Sequence, residues 1–558
     1  MTQILRYVTI SPPRLQRRDL TLGSPHKVLA FLGLLILTLQ SQSIFSRGLS
    51  SSAKTGVESE YQKALQEVGE RDYRAALRDL EAIIRQAPHF YRAYNLMGVC
   101  YERLKDHAKA RQAFLKAVEI NPRFDEAHVN LGANHVSEGR ISEGVQEFKK
   151  AIELNHRSVS AFYNLGSTEL ADDHAERAVI PLEKAYRLSR NDPSVLPALV
   201  TALMRTSQAD RAVQYASQAP PVHRLDPELA FQLGLAFVDG RRCQTGQPFL
   251  SAAARSNVQF KDRIGGLSER AFDNGEYDRA LCLSNVLLGS GADSAALHSM
   301  AGACHYHLQD PARAVSEVQK AIHLEPNTQE YYIQLAQIFI DFNTPDAAIL
   351  LLEPALKLFP SSARIRFVLG FAYLKSEQVE KAEQYLKESL EIDHNNGPAL
   401  AALAELYEKM LQWGSLSDVA KSMLQIPDRR YQGYYYEAEA KYNFFQRHPD
   451  HFSEVEALLA KSIALEPKSA SSHFLLGKLL IEKNSYAEGV ESLNRAIALD
   501  PDLAIAYYNL AVAYRKMGEG QRSAEALQKF QQAAQKAQNS PPRKLLYNVV
   551  GEQPVQKR

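Results

Sequence analysis

The sequence is poor in most features that announce a chemistry. Of its 558 residues one is tryptophan and four are cysteine, and Lys+Arg and Asp+Glu nearly cancel at 65 against 64. The four cysteines (Cys100, Cys243, Cys282 and Cys304) include no C-x-x-C pair, so neither a zinc ribbon nor a thioredoxin-type motif is present. In an oxidising compartment a Cys282–Cys304 disulfide would be allowed. H-E-x-x-H, G-x-x-x-x-G-K-[ST] and G-x-S-x-G are all missing, as is a strand followed by a glycine-rich loop. Catalytic, cofactor-binding and metal-binding residues are therefore assigned to none, and no cofactor is expected. Two histidine groups do not read as ligands. His305 and His307 point to different faces of a helix, and His448, Asp450 and His451 read as a solvated turn.

The charge that exists is unevenly placed. The two ends and the segment just before residue 57 are basic, which leaves residues 57–537 at −8 although the whole chain is at +1. An acidic body lacks the basic footprint that phosphate binding needs, so nucleic acid is excluded as main partner. The N-terminal apolar run, Val28–Leu39, has 12 residues. That is a signal-peptide length, short of the ~18–20 that span a bilayer. Residues 1–45 are expected to be a signal peptide, or a signal anchor if residues 28–45 stay in the membrane. Residues 46–56 follow as a flexible Ser/Gly linker. The expected location is extracytoplasmic or periplasmic, or anchored to the membrane by the N-terminus.

What the sequence does have is self-similarity. "KAVEINPRFDEAHVNLG" (Lys116–Gly132) returns as "KAIELNHRSVSAFYNLG" (Lys150–Gly166) and as "RAIALDPDLAIAYYNLA" (Arg495–Ala511). The step is 34 residues, and blocks start at 57, 91, 125 and onward to 397, then at 470 and 504, with five extra residues between 397 and 469. Fourteen blocks result. Numbered from 1, position 8 is small (Gly98, Gly132, Gly166, Gly234), position 20 is small (Ala76, Ala110, Gly144, Ala178), position 24 is large and apolar (Leu80, Phe114, Phe148, Leu182), and position 32 is often proline (Pro88, Pro122, Pro326, Pro360). Positions 4, 7, 8 and 11 form one helical stripe and 20, 24 and 27 another, so each block holds two amphipathic helices. Proline at 32 ends the second helix.

This pattern resembles the tetratricopeptide repeat. Residues 91–124 carry it nearly complete, with Tyr94, Gly98, Tyr101, Ala110, Phe114, Ala117 and Pro122. The resemblance covers residues 57–537 and implies an all-α fold, a right-handed α-solenoid of stacked antiparallel helix pairs. Eleven repeats fill residues 57–432. Three more fill 433–537 after an irregular aromatic-rich insertion, and a Pro/basic tail occupies 538–558.

The resemblance also implies a non-enzymatic scaffold that binds a protein or peptide in the groove lined by positions 2, 5, 9 and 12 of each first helix. Mapped here, these positions point to Asn95, Tyr163, Phe231, Tyr306, Phe367, Phe371, Phe474 and Tyr508. A polar series at position 6 (Asn130, Asn164, Gln232, Gln334, Asn509) offers hydrogen bonds to a peptide. Tyr434, Tyr435, Tyr436 and Phe444 mark a second, aromatic patch. A groove for a cell-wall glycan or small ligand, or an accessory subunit for an enzyme acting in trans, stands as the alternative. Oligomeric state is left open.

Overall fold

The computed structural model describes residues 51–189, 192–444 and 449–539. Over these residues it holds 28 α-helices, four short 3-10 turns and no strand. Helices are numbered α1 to α28 in chain order and pack as fourteen consecutive pairs. The N-terminal apolar segment and the C-terminal tail lie outside the described residues.

The chain divides into two units at Asp293/Ser294. In the first unit the pairs are Ser51–Gly69 with Tyr73–Gln86, Tyr91–Arg103 with His107–Ile120, Asp125–Ser137 with Ile141–Leu154, Val159–Ala171 with Ala175–Leu188, Leu196–Arg205 with Ala209–Ala216, Pro227–Asp239 with Cys243–Ser256, and Val258–Asp273 with Tyr277–Gly289 (α1–α14). In the second they are Ala295–His307 with Pro311–Leu324, Gln329–Asp341 with Pro345–Leu358, Ala363–Lys375 with Val379–Ile392, Gly397–Lys409 with Trp413–Leu424, Arg430–Phe444 with Phe452–Leu465, Ala470–Glu482 with Tyr486–Leu499, and Ala504–Lys516 with Gly520–Asn539 (α15–α28).

Inside a pair, the repeat is a steric device. A β-carbon built on Gly98 would sit 2.4 Å from the Phe114 ring, and one on Gly132 2.7 Å from Phe148. Gly166, Gly234, Gly370 and Gly477 meet Leu182, Leu250, Leu386 and Leu493 in the same way, and each also faces a position-20 carbonyl. The large side chain of the second helix thus fills the space that the glycine of the first leaves empty. In two blocks a larger residue at position 8 goes with a smaller one at position 24, whereas Ala64 and Ala336 keep Leu80 and Leu352. Val200 is matched by Ala216, and Ser268 by Ser284, whose hydroxyl oxygens lie 2.9 Å apart.

Between pairs, the proline that stops the second helix leaves a carbonyl to satisfy. Position 4 of the next block answers it. His128 donates to the carbonyl of Pro122 at 3.0 Å, Tyr332 to Pro326 at 3.1 Å, His473 to Pro467 at 3.1 Å and Tyr507 to Pro501 at 3.2 Å.

In thirteen of the fourteen pairs the turn is closed by a residue of positive φ at position 15, among them Arg71, Lys105, Gly139, Asn343 and Leu411. The N–H that follows reaches back to the carbonyl of position 11, as in Asp106 to Tyr101 and Gln412 to Tyr407, both 2.9 Å. Asp72, Asp106 and Asp310 then cap the second helix from position 16.

Two expectations need correction. α1 begins at Ser51, inside the stretch read as a flexible linker over 46–56. Val57, Tyr61, Ala64 and Val68 are buried in the first core cluster, and the helix they anchor runs on through Gly56 to Ser51. The stretch read as an irregular insertion is, up to Phe444, the regular helix α23; the five extra residues lie between α23 and α24.

Gly98→Ala should destabilise the chain by about 1–3 kcal/mol, because Phe114 must leave its place. Leu411→Gly should stabilise it by about 1 kcal/mol, since Leu411 holds φ 55° and is 66% exposed, so relief of strain outweighs lost packing. Chemical denaturation of both variants checks the two signs.

Candidate partner-binding face

The first helices of neighbouring pairs meet side by side, and residues one repeat apart pair across them. In the first unit, Arg92 binds Glu58 at 3.2 Å, Asn130 donates to the side-chain oxygen of Asn95 at 2.9 Å, and Arg263 holds Glu228 through two nitrogens at 2.5 and 3.1 Å. In the second, Gln334 and Ser299 exchange two bonds, Tyr306 donates to Asp341 at 2.7 Å, and Arg364 binds Glu330 at 3.4 Å. The position-6 series is largely absorbed here: Asn130 and Gln334 are paired as above, Gln232 donates to Glu228, and Asn509 donates to the carbonyl of Ile505. These amides serve the array itself.

The eight residues assigned to the groove separate into two groups. Phe231, Tyr306, Phe367 and Phe371 are buried, so they are core and not exposed anchors. Phe231 lies under Arg263, whose guanidinium carbon is 3.9 Å from the ring centroid, so the surface there is the Arg263–Glu228 pair. That pair holds the Glu228 carboxyl below its usual range. Phe367 and Phe371 face each other at 6.4 Å.

Asn95, Tyr163 and Phe474 are half-buried, and Tyr508 is 44% exposed, 5.8 Å from Phe530. Burial pushes the Tyr163 hydroxyl above its ordinary value. Of the aromatic patch, Tyr434, Tyr435 and Tyr436 are half-buried on α23 and Phe444 is 60% exposed at its end. Tyr435 and Tyr436 pack edge to face at 5.0 Å, and Lys461 lies 5.5 Å from the Tyr434 ring.

One group on this face was not singled out from the sequence. Glu405 and Glu408 on α21 and Glu439 on α23 occupy positions 9, 12 and 9 of consecutive first helices. Burial raises all three carboxyls. At Glu439 the neighbouring Glu408 charge adds to burial and brings it to about 8. Glu405 and Glu439 each hold one buried oxygen without a hydrogen-bond partner. Lys409 sits 3.3 Å from Glu405, and Lys478 opposes the rise at Glu439. The positional rule marks these carboxylates, since they lie in the same stripe as the groove aromatics.

The histidine and cysteine expectations resolve differently. His305 is buried on α15 and held below its ordinary value by that burial; its Nδ1 is 3.9 Å from Asp310. His448 lies outside the described residues. Among the described residues no cluster of three or more His, Cys, Asp or Glu is placed to hold a metal ion. The disulfide joins Cys243 to Cys282, across 39 residues, and not Cys282 to Cys304. Adjacent second helices bring Cys243 and Cys282 together, whereas Cys304 is buried on α15. Among the described residues no helix is long and apolar enough to cross a membrane.

Families described as tetratricopeptide repeat match residues 61–123, 339–407 and 505–540, and one described as TPR repeat matches 477–518. The chain is a tetratricopeptide-repeat protein. Lipopolysaccharide assembly protein B of Escherichia coli K12 is 25% identical over 186 residues, which is 32% of this chain and 47% of that protein. The same protein of Escherichia coli O157:H7 matches equally, and the chain thus spans about half the length of the curated relatives it matches.

Among solved structures, Naa15/Naa10 bound to HypK-THB aligns with a TM-score of 0.37 at 14% identity, over 85% of this tetratricopeptide-repeat chain and 68% of that one. The APC/C hetero-tetramer Cut9-Hcn1 aligns at 0.35 and 14%, over 83% and 98%. MamA aligns at 0.26 and 19%, over 28% and 90%.

The sign of one pH effect follows from Glu439. The folded chain keeps this proton up to about pH 8, whereas an unfolded carboxyl loses it near 4.5, so stability falls as pH rises between those values. Glu439→Gln should raise the thermal midpoint at pH 8 and leave it unchanged at pH 4, measured by circular dichroism on the full chain.

Proposed function

We propose that this tetratricopeptide-repeat chain is a non-enzymatic scaffold that binds a protein or peptide along the groove face of its first helices, outside the cytoplasm. The observation that carries the reading is the division of labour within each repeat. Positions 8, 20 and 24 are held by packing, while positions 5, 9 and 12 change from pair to pair: Tyr163, Phe474 and Tyr508 stand where other repeats place Asn95 or Ala401. Half-buried and exposed aromatics give large contact area at low entropic cost.

Export is supported by two features. The N-terminal apolar run has signal length, and the Cys243–Cys282 disulfide belongs to an oxidising compartment. The partial match to a lipopolysaccharide assembly protein points toward the cell envelope as well.

Site-specific photo-crosslinking in envelope fractions tests the reading. A crosslinker placed at Tyr163 or Tyr508 should capture a reproducible protein. The same group at Ile180 or Leu350, exposed on second helices, should not. Equal capture from both faces would overturn the assignment of the face, and capture of glycan at Tyr508 would favour the carbohydrate alternative.

A further inference from the structure

One first helix buries fewer residues than the others, although Arg263 ties it to Glu228 of the preceding first helix. α13 (Val258–Asp273) buries three residues, Ile264, Ser268 and Ala271, the fewest of any first helix among the described residues. In place of the glycine-against-bulk contact it sets Ser268 against Ser284, with Ser268 donating to the carbonyl of Ala280 at 2.9 Å. Its interior carries Gly265 and Gly266. A β-carbon on either would meet nothing closer than 3.7 Å, so packing does not require these glycines, and each weakens the helix relative to alanine. A single residue, Asn257, separates α13 from α12, where most other seams have a four-residue turn such as 121–124.

The disulfide spans this soft element. Cys243 is the first residue of α12 and Cys282 lies within α14, so the bond ties together the two second helices on either side of α13. Cys282 is buried and Cys243 is half-exposed.

We propose that the Cys243–Cys282 bond is a redox latch: oxidised, it holds α12 and α14 together and keeps α13 in place; reduced, it lets α13 and α14 open as a local unit while the earlier pairs of the same unit stay folded. The chemistry is two-electron thiol–disulfide exchange with a dithiol. One thiolate of the reductant attacks the sulfur of Cys243, the less buried of the two, and displaces Cys282 as thiolate. The second thiolate attacks the mixed disulfide, leaves the reductant oxidised and frees Cys243, and the two protons of the dithiol end on the two cysteines. Opening is local because a repeat array is held only by nearest-neighbour interfaces. The latch does not depend on the identity of any partner.

Hydrogen exchange by mass spectrometry on the full, oxidised chain tests it, with dithiothreitol as reductant. Reduction should speed exchange across 258–289 by about tenfold or more and leave 91–188 unchanged. Gly265→Ala/Gly266→Ala, which adds helix propensity without touching the bond, should slow that exchange in the reduced chain by roughly 10- to 30-fold. Three results would overturn the latch: unchanged exchange at 258–289 on reduction, a uniform increase along the whole chain, or reactive thiols at both Cys243 and Cys282 before reduction.

Discussion

The structure depends on how closely the two helices of a pair can approach. That distance is set at one point, where position 8 of the first helix meets positions 20 and 24 of the second. Glycine at 98, 132 or 166 lets Phe114, Phe148 or Leu182 lie almost on its backbone. The trade is one of volume and not of residue identity. Val200 opposite Ala216, and Ser268 opposite Ser284, occupy the same contact with the bulk exchanged or removed. Side chains interlock there at crystal-like density: a phenylalanine at position 24 goes with glycine at position 8, and a leucine with glycine or alanine, as in Ala64 with Leu80. Every other feature of a repeat is arranged around that contact.

The seams obey a different rule, that of backbone polarity. Each second helix ends in a turn that leaves carbonyls unpaired, and the chain answers from the next block through His128, Tyr332, His473 or Tyr507. Within a pair, the turn is closed by a left-handed residue and a backbone bond to position 11. These devices are local, so the fold extends without long-range pairing and stability becomes a sum over neighbours. Side chains that pair across first helices, such as Asn130 with Asn95, reinforce the sum and take polar groups away from any partner.

The period and its two helical stripes were legible because they are steric: the Gly98–Phe114 contact writes itself into sequence as a small and a large residue sixteen apart. Less visible was the left-handed turn position. It is occupied by Arg71, Lys105 or Leu411 as well as by glycine, and only glycine signals it. The face of each first helix was legible, but depth was not. Phe231 and Tyr163 hold the same position, and one is covered because Arg263, in the following repeat, happens to reach back over it. The disulfide was hidden for a related reason. Cys243 and Cys282 are 39 residues apart, five more than a repeat, so they sit at different positions of their blocks and no periodic comparison aligns them.

That offset has an energetic meaning. Along most of the array, one pair holds the next through buried apolar surface. At α13 the first helix buries little, and its contact with α14 inside the pair is a serine–serine one, so a nearest-neighbour sum gains little there. A cross-link closing 39 residues removes denatured-chain entropy on the order of 4 kcal/mol. It also joins α12 to α14 directly, which adds a connection that the repeat itself does not contain. The bond therefore adds a covalent tie across the first helix that buries the fewest residues.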